Sequence, residues 1–169
     1  MTRHIALLRA VNVGGTGKLP MEELRAICAE IGFEDVKTYI ASGNVVFSSP
    51  LDQEAVKHKL EARLTAYAGK PQAVLVRSGA EMAQVLADNP FPEAAPNRVV
   101  AIFLDGPPPV DTIEAATHRK DEEIALGKRE IYVHYGEGMG QSKLKIPAAG
   151  KGTARNINTI AKLVEMARL

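Results

Sequence analysis

A glycine-rich stretch near the N-terminus is the first segment whose residue types could do chemistry. It reads Asn12-Val13-Gly14-Gly15-Thr16-Gly17-Lys18 and stands between an apolar run and a predicted helix. Backbone N–H groups in this position can bind phosphate. The stretch is not a Walker loop, because Asn12 and Leu19 replace required motif residues, and Pro20 rules out a dinucleotide fingerprint. The alternative is a flexible loop whose glycines only permit positive φ.

A second polar segment, Ser42-Gly43-Asn44, joins two β-rich runs and predicts a tight hairpin. In a βαββαβ unit this hairpin lies at the sheet end where strand one finishes, so the two polar loops would converge there. We therefore predict a site for a small anionic ligand, phosphate-like or nucleotide-like. Ser-Gly-Asn also suits any tight turn. The predicted site residues in this half are Arg9, Asn12, Gly14, Gly15, Lys18, Ser42, Gly43 and Asn44.

A third polar segment runs from Thr153 to Thr159 and leads into the last predicted helix. Thr153 or Asn156 can cap that helix, and its N-terminus favours an anion with help from Arg155 and Lys151. Thr153, Arg155 and Asn156 therefore join the predicted ligand-binding set. An ordinary cap with solvated charges is the alternative.

Residues for catalysis, metals or cofactors are not evident in the sequence. The histidines at positions 4, 58, 118 and 134 have no metal-ligand spacing, and no nucleophile elbow is present. We predict no metal and no cofactor, and the catalytic residues stay unassigned. Cys28 shares a helical stripe with Met21, Leu24 and Ile31, which predicts a core residue.

The elements of the first half that must position these loops follow the order βαββαβ, the ferredoxin-like arrangement. Pro20 begins a helix that Gly32 ends, and Asp52 caps the second helix. Strand one is apolar on both faces, which predicts a sheet covered on both faces. The predicted strands are 4–11, 36–41, 45–47 and 72–76, and the predicted helices are 20–31 and a segment following Asp52.

The second half predicts βαββ, a loop and a helix, which is the first pattern without its final strand. Its predicted strands are 98–104, 123–126 and 130–135, with a short helix at 111–117, a loop at 136–152 and a helix at 156–167. We therefore expect an α+β protein. Its divisions would be a ferredoxin-like subdomain at 1–78, a linker with a short helix at 79–97, and a related second subdomain at 98–169. We expect the two halves to share a core as one compact unit.

Composition indicates a globular protein, with 46% hydrophobic and 24% charged residues and a net charge of +1. No apolar run approaches the ~20 residues of a membrane helix. A single cysteine excludes an intrachain disulfide and fits a reducing compartment. We therefore predict a cytoplasmic protein without membrane association.

Three segments carry a resemblance to a known family: 6–15, 38–47 and 153–159 followed by Lys162 and Leu163. In this order they resemble the family labelled domain of unknown function 1697. Ile157 stands where that family would have a tryptophan, which removes a stacking residue at this position. The resemblance implies a bacterial-type cytoplasmic α+β protein and implies no activity or cofactor.

Two other function classes compete with the anionic ligand. A nucleic-acid-binding module would need exposed aromatic residues on its sheet, and aromatic residues make up only 5% of the chain. A protein-interaction or assembly role would use the cationic C-terminal segment. From Lys143 onward this segment contains six cations and one acid, Glu165. The residues do not determine the oligomeric state.

Overall fold

The computed structural model describes residues 1–9, 19–40, 43–136 and 141–168. Two compact units are present, Met1–Met82 with Leu163–Leu169, and Ala83–Lys162. We call them the N-terminal unit and the second unit. The described strands are β1 (Thr2–Leu8), β2 (Glu34–Tyr39), β3 (Asn44–Ser49), β4 (Val74–Ser78), β5 (Val99–Phe103), β6 (Glu123–Leu126), β7 (Glu130–His134) and β8 (Thr153–Asn156). The described helices are α1 (Met21–Ile31), α2 (Gln53–Ala68), α3 (Gly79–Ala87) and α4 (Ile157–Ala167).

The N-terminal unit contains a four-stranded sheet in the order β2-β3-β1-β4, with every neighbouring pair antiparallel. Alternate side chains of the sheet, including Ala6, Leu8 and Phe47, pack with the buried stripes of α1 and α2. Ile5 and Leu7 point to the other face and are also fully buried. The burial of both faces of strand one, which its apolar sequence predicted, is confirmed.

The helix boundaries of this unit follow from local chemistry. Gly32 adopts φ +104°, a left-handed conformation that ends α1. Pro20 is extended and precedes α1, so the helix begins one residue later than predicted. The Asp52 carboxylate accepts a hydrogen bond from Ala55 N at 2.8 Å, which confirms the predicted cap of α2.

The second unit also contains a four-stranded antiparallel sheet, in the order β6-β7-β5-β8. The prediction that this half lacks a final strand is wrong, because β8 pairs with β5 along Val100–Phe103. β8 was not predicted because its buried side chains, Thr153 and Arg155, are polar, as loop residues usually are.

The short helix predicted at 111–117 is also wrong, because these residues form turns. Ala115 N donates to Asp111 O at 2.9 Å, while Ala116 N and Thr112 N form tighter bonds three residues back. Thr117 then pairs in an extended bridge with Lys145. One helical bond does not compensate for the cost of fixing a helical turn.

The mixed α+β fold that the sequence predicted is therefore confirmed, with two four-stranded antiparallel sheets and four α-helices among the described residues. Of these helices, none combines the length and the apolar character needed to cross a membrane.

Candidate functional site

Three segments of the N-terminal unit meet at the end of its sheet where β1 finishes. Leu8 N donates to Gly43 O at 2.8 Å, which joins the strand end to the β2–β3 corner. Arg9 N donates to Ala73 O at 3.1 Å, which joins it to the residues before β4. Because β1 pairs with both β3 and β4, its last residues are bonded on both sides. We call this meeting point the β1 rim.

Gln72 belongs to the β1 rim, although the sequence analysis assigned it to a strand and not to the site. Its side-chain Nε2 donates to Arg9 O at 2.6 Å. This bond holds the backbone of the chain as it leaves β1. An antiparallel pairing of the first and fourth strands places the start of β4 at this end, so topology contained the signal.

The β2–β3 corner has an unusual backbone. Gly43 has φ +90°, which glycine adopts without cost. Ile40 has φ +49°, and its side chain is 50% exposed. A β-branched residue in the left-handed region is strained by about 1–3 kcal/mol, and such strain is concentrated at functional sites.

Asn44 stabilises this corner from inside. Its side chain is fully buried, and Nδ2 donates to Tyr39 O at 2.9 Å. The amide therefore closes the β2–β3 connection across five residues.

Of the predicted residues of this half, Arg9, Gly43 and Asn44 lie within the described part of the chain. The other five predicted residues lie outside the described residues: Asn12, Gly14, Gly15, Lys18 and Ser42.

The predicted residues of the third segment lie in the second unit. Arg155 is only 7% exposed, and its NH1 donates to Thr153 Oγ1 at 2.6 Å and to Ala154 O at 2.9 Å. Burial lowers the pKa of its guanidinium to about 10. The Asn156 side chain accepts from Thr159 N at 2.9 Å, which confirms one of the two predicted caps. Arg155 therefore belongs to the interior of β8 and does not form a solvated cation at the helix end.

A second buried arginine, Arg77 on β4, was not singled out by the sequence analysis. It is 1% exposed, and its NH1 donates to Val76 O at 3.0 Å. Arg77 directly follows the apolar residues Val74-Leu75-Val76, where a charged side chain usually marks the exposed end of a strand. The residue pattern therefore gave no sign that Arg77 is buried.

Cys28 and His4 of the N-terminal unit belong to its core. Cys28 is fully buried, as predicted, and burial raises the pKa of its thiol to about 12. His4 is 2% exposed and stacks on Phe47, and burial lowers the pKa of its imidazole. Within residues 1–9, 19–40, 43–136 and 141–168, no group of three or more potential metal ligands is present.

The sheet face needed for base stacking is not accessible in the N-terminal unit. Ile5, Leu7 and Val46 lie on the face opposite α1 and α2, and all three are fully buried. Phe47 points to the helix side, where it stacks on Phe33 with ring centroids 4.1 Å apart. These positions argue against RNA recognition by an aromatic sheet surface.

Comparison with known proteins identifies a family and a similar solved structure. No curated protein matches the chain. The chain is similar to the solved structure of a conserved bacterial protein from Streptococcus pneumoniae, with 29% identity and a TM-score of 0.82. The similarity covers 98% of each chain, so the two proteins share their fold throughout. A family model described as "Protein of unknown function (DUF1697)" matches residues 1–132, and the chain therefore belongs to this family.

Proposed function

We propose that the N-terminal unit binds a small anionic, phosphate-like or nucleotide-like ligand at the β1 rim. The observation that carries the proposal is the hydrogen bond from Leu8 N to Gly43 O, 2.8 Å long. It holds the end of β1, four residues before the glycine-rich stretch in the sequence, beside Gly43 of the β2–β3 corner. We expect the glycine-rich stretch that follows β1 in the sequence to contribute backbone N–H groups next to this corner, as anion sites use them.

The positive charge of the proposed site comes from Arg9, which precedes the glycine-rich stretch, and Lys18, which ends it. Arg9 directly follows β1, and Lys18 is the last residue of the glycine-rich stretch before the Leu19-Pro20 entry to α1. A guanidinium binds phosphate oxygens through paired N–H groups, and an ammonium adds a point charge. The bond from Gln72 to Arg9 O holds the backbone at Arg9 in place.

The proposal is for binding and does not extend to a reaction. The described residues of the β1 rim are Leu8, Arg9, Gly43, Asn44, Gln72 and Ala73, and none of these six carries a carboxylate or an imidazole. These two groups are the commonest general acids and bases, so the described rim offers no obvious one.

A ferredoxin-like classification of the N-terminal unit is part of this proposal. Its support is the element order βαββαβ combined with the strand order β2-β3-β1-β4. We also propose a reducing, cytoplasmic compartment, which the free and buried Cys28 supports.

Thermal unfolding of the full chain with phosphate, pyrophosphate, AMP and ATP tests the binding proposal. A ligand that binds only the folded state raises the midpoint temperature in a saturable way. The test variant combines Arg9→Ala with Lys18→Ala. The control is Lys59→Ala, which removes a cation from the exposed side of α2 in the same unit.

We expect at least one of these anions to stabilise the wild type and the Lys59→Ala control equally. The double variant should lose most of the shift while keeping its own cooperative unfolding. Equal shifts in the double variant, or no saturable shift with any of the four anions, would refute the proposal.

A further inference from the structure

The second unit contains a cavity, widely open to solvent, that the proposed function does not use. Its volume is about 360 Å³, and it is lined by Pro90, Phe91, Pro92, Glu93, Ala94, Glu123 and His134. This volume lies in the range typical of small-molecule pockets. We call it the Phe91 cavity. Five of its residues come from the segment after α3, and the other two come from β6 and β7.

Hydrogen bonds within the loop shape the wall that contains Phe91. Phe91 N donates to the Asn89 side chain at 3.0 Å, and Ala94 N donates to Phe91 O at 3.1 Å. The Phe91 ring lies 5.6 Å from the His134 ring, measured between centroids. The wall is therefore an ordered turn whose aromatic ring packs on the imidazole from the sheet.

The two residues from the sheet are a paired imidazole and carboxylate. Glu123 and His134 are register partners of β6 and β7, and Glu123 Oε1 lies 3.1 Å from His134 Nδ1. The His134 side chain is 23% exposed, and the Glu123 side chain is 61% exposed. A neutral imidazole whose Nδ1 donates to a carboxylate keeps Nε2 as a hydrogen-bond acceptor.

The chemistry of the lining favours a cation. Glu93 and Glu123 each carry a negative charge, and the seven described lining residues include no lysine or arginine. The two carboxylates are acceptors, and so is Nε2 of an imidazole whose proton is on Nδ1, whereas a primary ammonium offers three donors and no acceptor. The face of an aromatic ring also attracts an organic cation. Phe91 and two prolines suit the apolar part of the same molecule.

From this combination we infer that the Phe91 cavity is a binding site for a small organic ammonium ion with an apolar aromatic or alkyl group. The inference is independent of the β1 rim, because it concerns another unit and the opposite ligand charge. An anion would meet repulsion from both glutamates. A purely apolar ligand would displace water from the carboxylates without replacing those hydrogen bonds.

Three probes of one shape and different charge test this site: benzylamine, benzyl alcohol and benzoate. Each is titrated into the full ¹⁵N-labelled chain, and the amide chemical shifts of Phe91, Ala94, Glu123 and His134 are followed. We expect saturable shifts at these residues with benzylamine, weaker binding of benzyl alcohol and no site-specific shifts with benzoate.

Variants separate the ammonium contact from the apolar contact. Glu123→Gln should weaken benzylamine binding by about two- to fivefold, as expected for a partly solvated ion pair, and should leave benzyl alcohol unchanged. Phe91→Leu should weaken both probes. Glu114→Gln removes the same charge at an exposed turn of the same unit and should change neither.

Equal affinity for benzylamine and benzyl alcohol would overturn the inference, because the charge would then play no part. Shifts with benzoate at the same residues, or an absence of saturable benzylamine binding, would also overturn it. None of these outcomes affects the β1 rim, whose test uses other ligands and other variants.

Discussion

The two sheets are built alike but are covered differently. In each, the first strand lies between a hairpin and a final strand, and that final strand carries a buried arginine. Arg77 is the register partner of Ile5, and Arg155 is the register partner of Ala101. Each NH1 donates to the carbonyl of the preceding residue. The pairing pattern is therefore common to both units.

The two units differ in the residues that pack on the sheet. In the N-terminal unit, α1 and α2 provide fully buried aliphatic side chains, including Leu24 and Leu60. In the second unit, partly buried residues of turns and loops, including Ile113, Leu144 and Ile146, pack on the sheet. A strand pattern thus specifies a sheet without specifying what lies on it. These residues of the loop cover are only partly buried.

The largest effect should come from a cavity beneath the helical cover. Leu60→Ala removes a fully buried side chain and should lower the free energy of unfolding by about 3 kcal/mol. Ile113→Ala, in the loop cover, should cost about 1 kcal/mol because its site is already partly solvated. Chemical denaturation curves measure both. Equal losses would contradict the difference between the two covers.

The second-largest effect concerns Gly152, where the chain runs close to Phe103 at the end of β5 just before β8 begins. A Cβ at Gly152 would lie 2.5 Å from Phe103 O, a backbone atom that cannot move aside alone. Gly152→Ala should therefore destabilise the protein by about 2 kcal/mol. At Gly106 the same Cβ would have no neighbour within 4 Å, so Gly106→Ala serves as the matched control. A loss no greater than that of the control would show that β8 can shift without cost.

The smallest effect concerns a carboxylate that ties the loops of the second unit together. Glu122 accepts hydrogen bonds at 2.5 Å from both Ser142 Oγ and Lys120 N. The bond from Ser142 is the main reason why the pKa of this carboxyl lies below its ordinary value. A lowered folded-state pKa stabilises the protein above the unfolded-state pKa, and this stabilisation is lost as pH falls through the folded-state value.

Glu122→Gln should therefore reduce stability at neutral pH, and the difference from the wild type should shrink as pH falls into the carboxyl range. Unfolding curves between pH 7 and acid pH measure this difference. Glu114→Gln, at an exposed turn, should show no such pH dependence. A gap between Glu122→Gln and the wild type that stays constant with pH would exclude the titration of Glu122 as its cause.

The sequence by itself determined the elements whose signals are local. Periodic apolar residues placed Cys28 in the core, Asp52 and Asn156 marked helix starts, and Gly32 marked a helix end. These features could be read because capping and helical periodicity involve residues a few positions apart.

Only the tertiary structure decided the features that depend on distant partners. β8 exists because β5 supplies its backbone partners some fifty residues earlier in the chain. Arg77 and Arg155 are buried because their strands lie inside the fold, which no property of an arginine in a sequence reveals. Gln72 reaches Arg9 O only through the pairing of β1 with β4. Backbone pairing and burial are properties of the assembled chain, so residue types alone could not determine them.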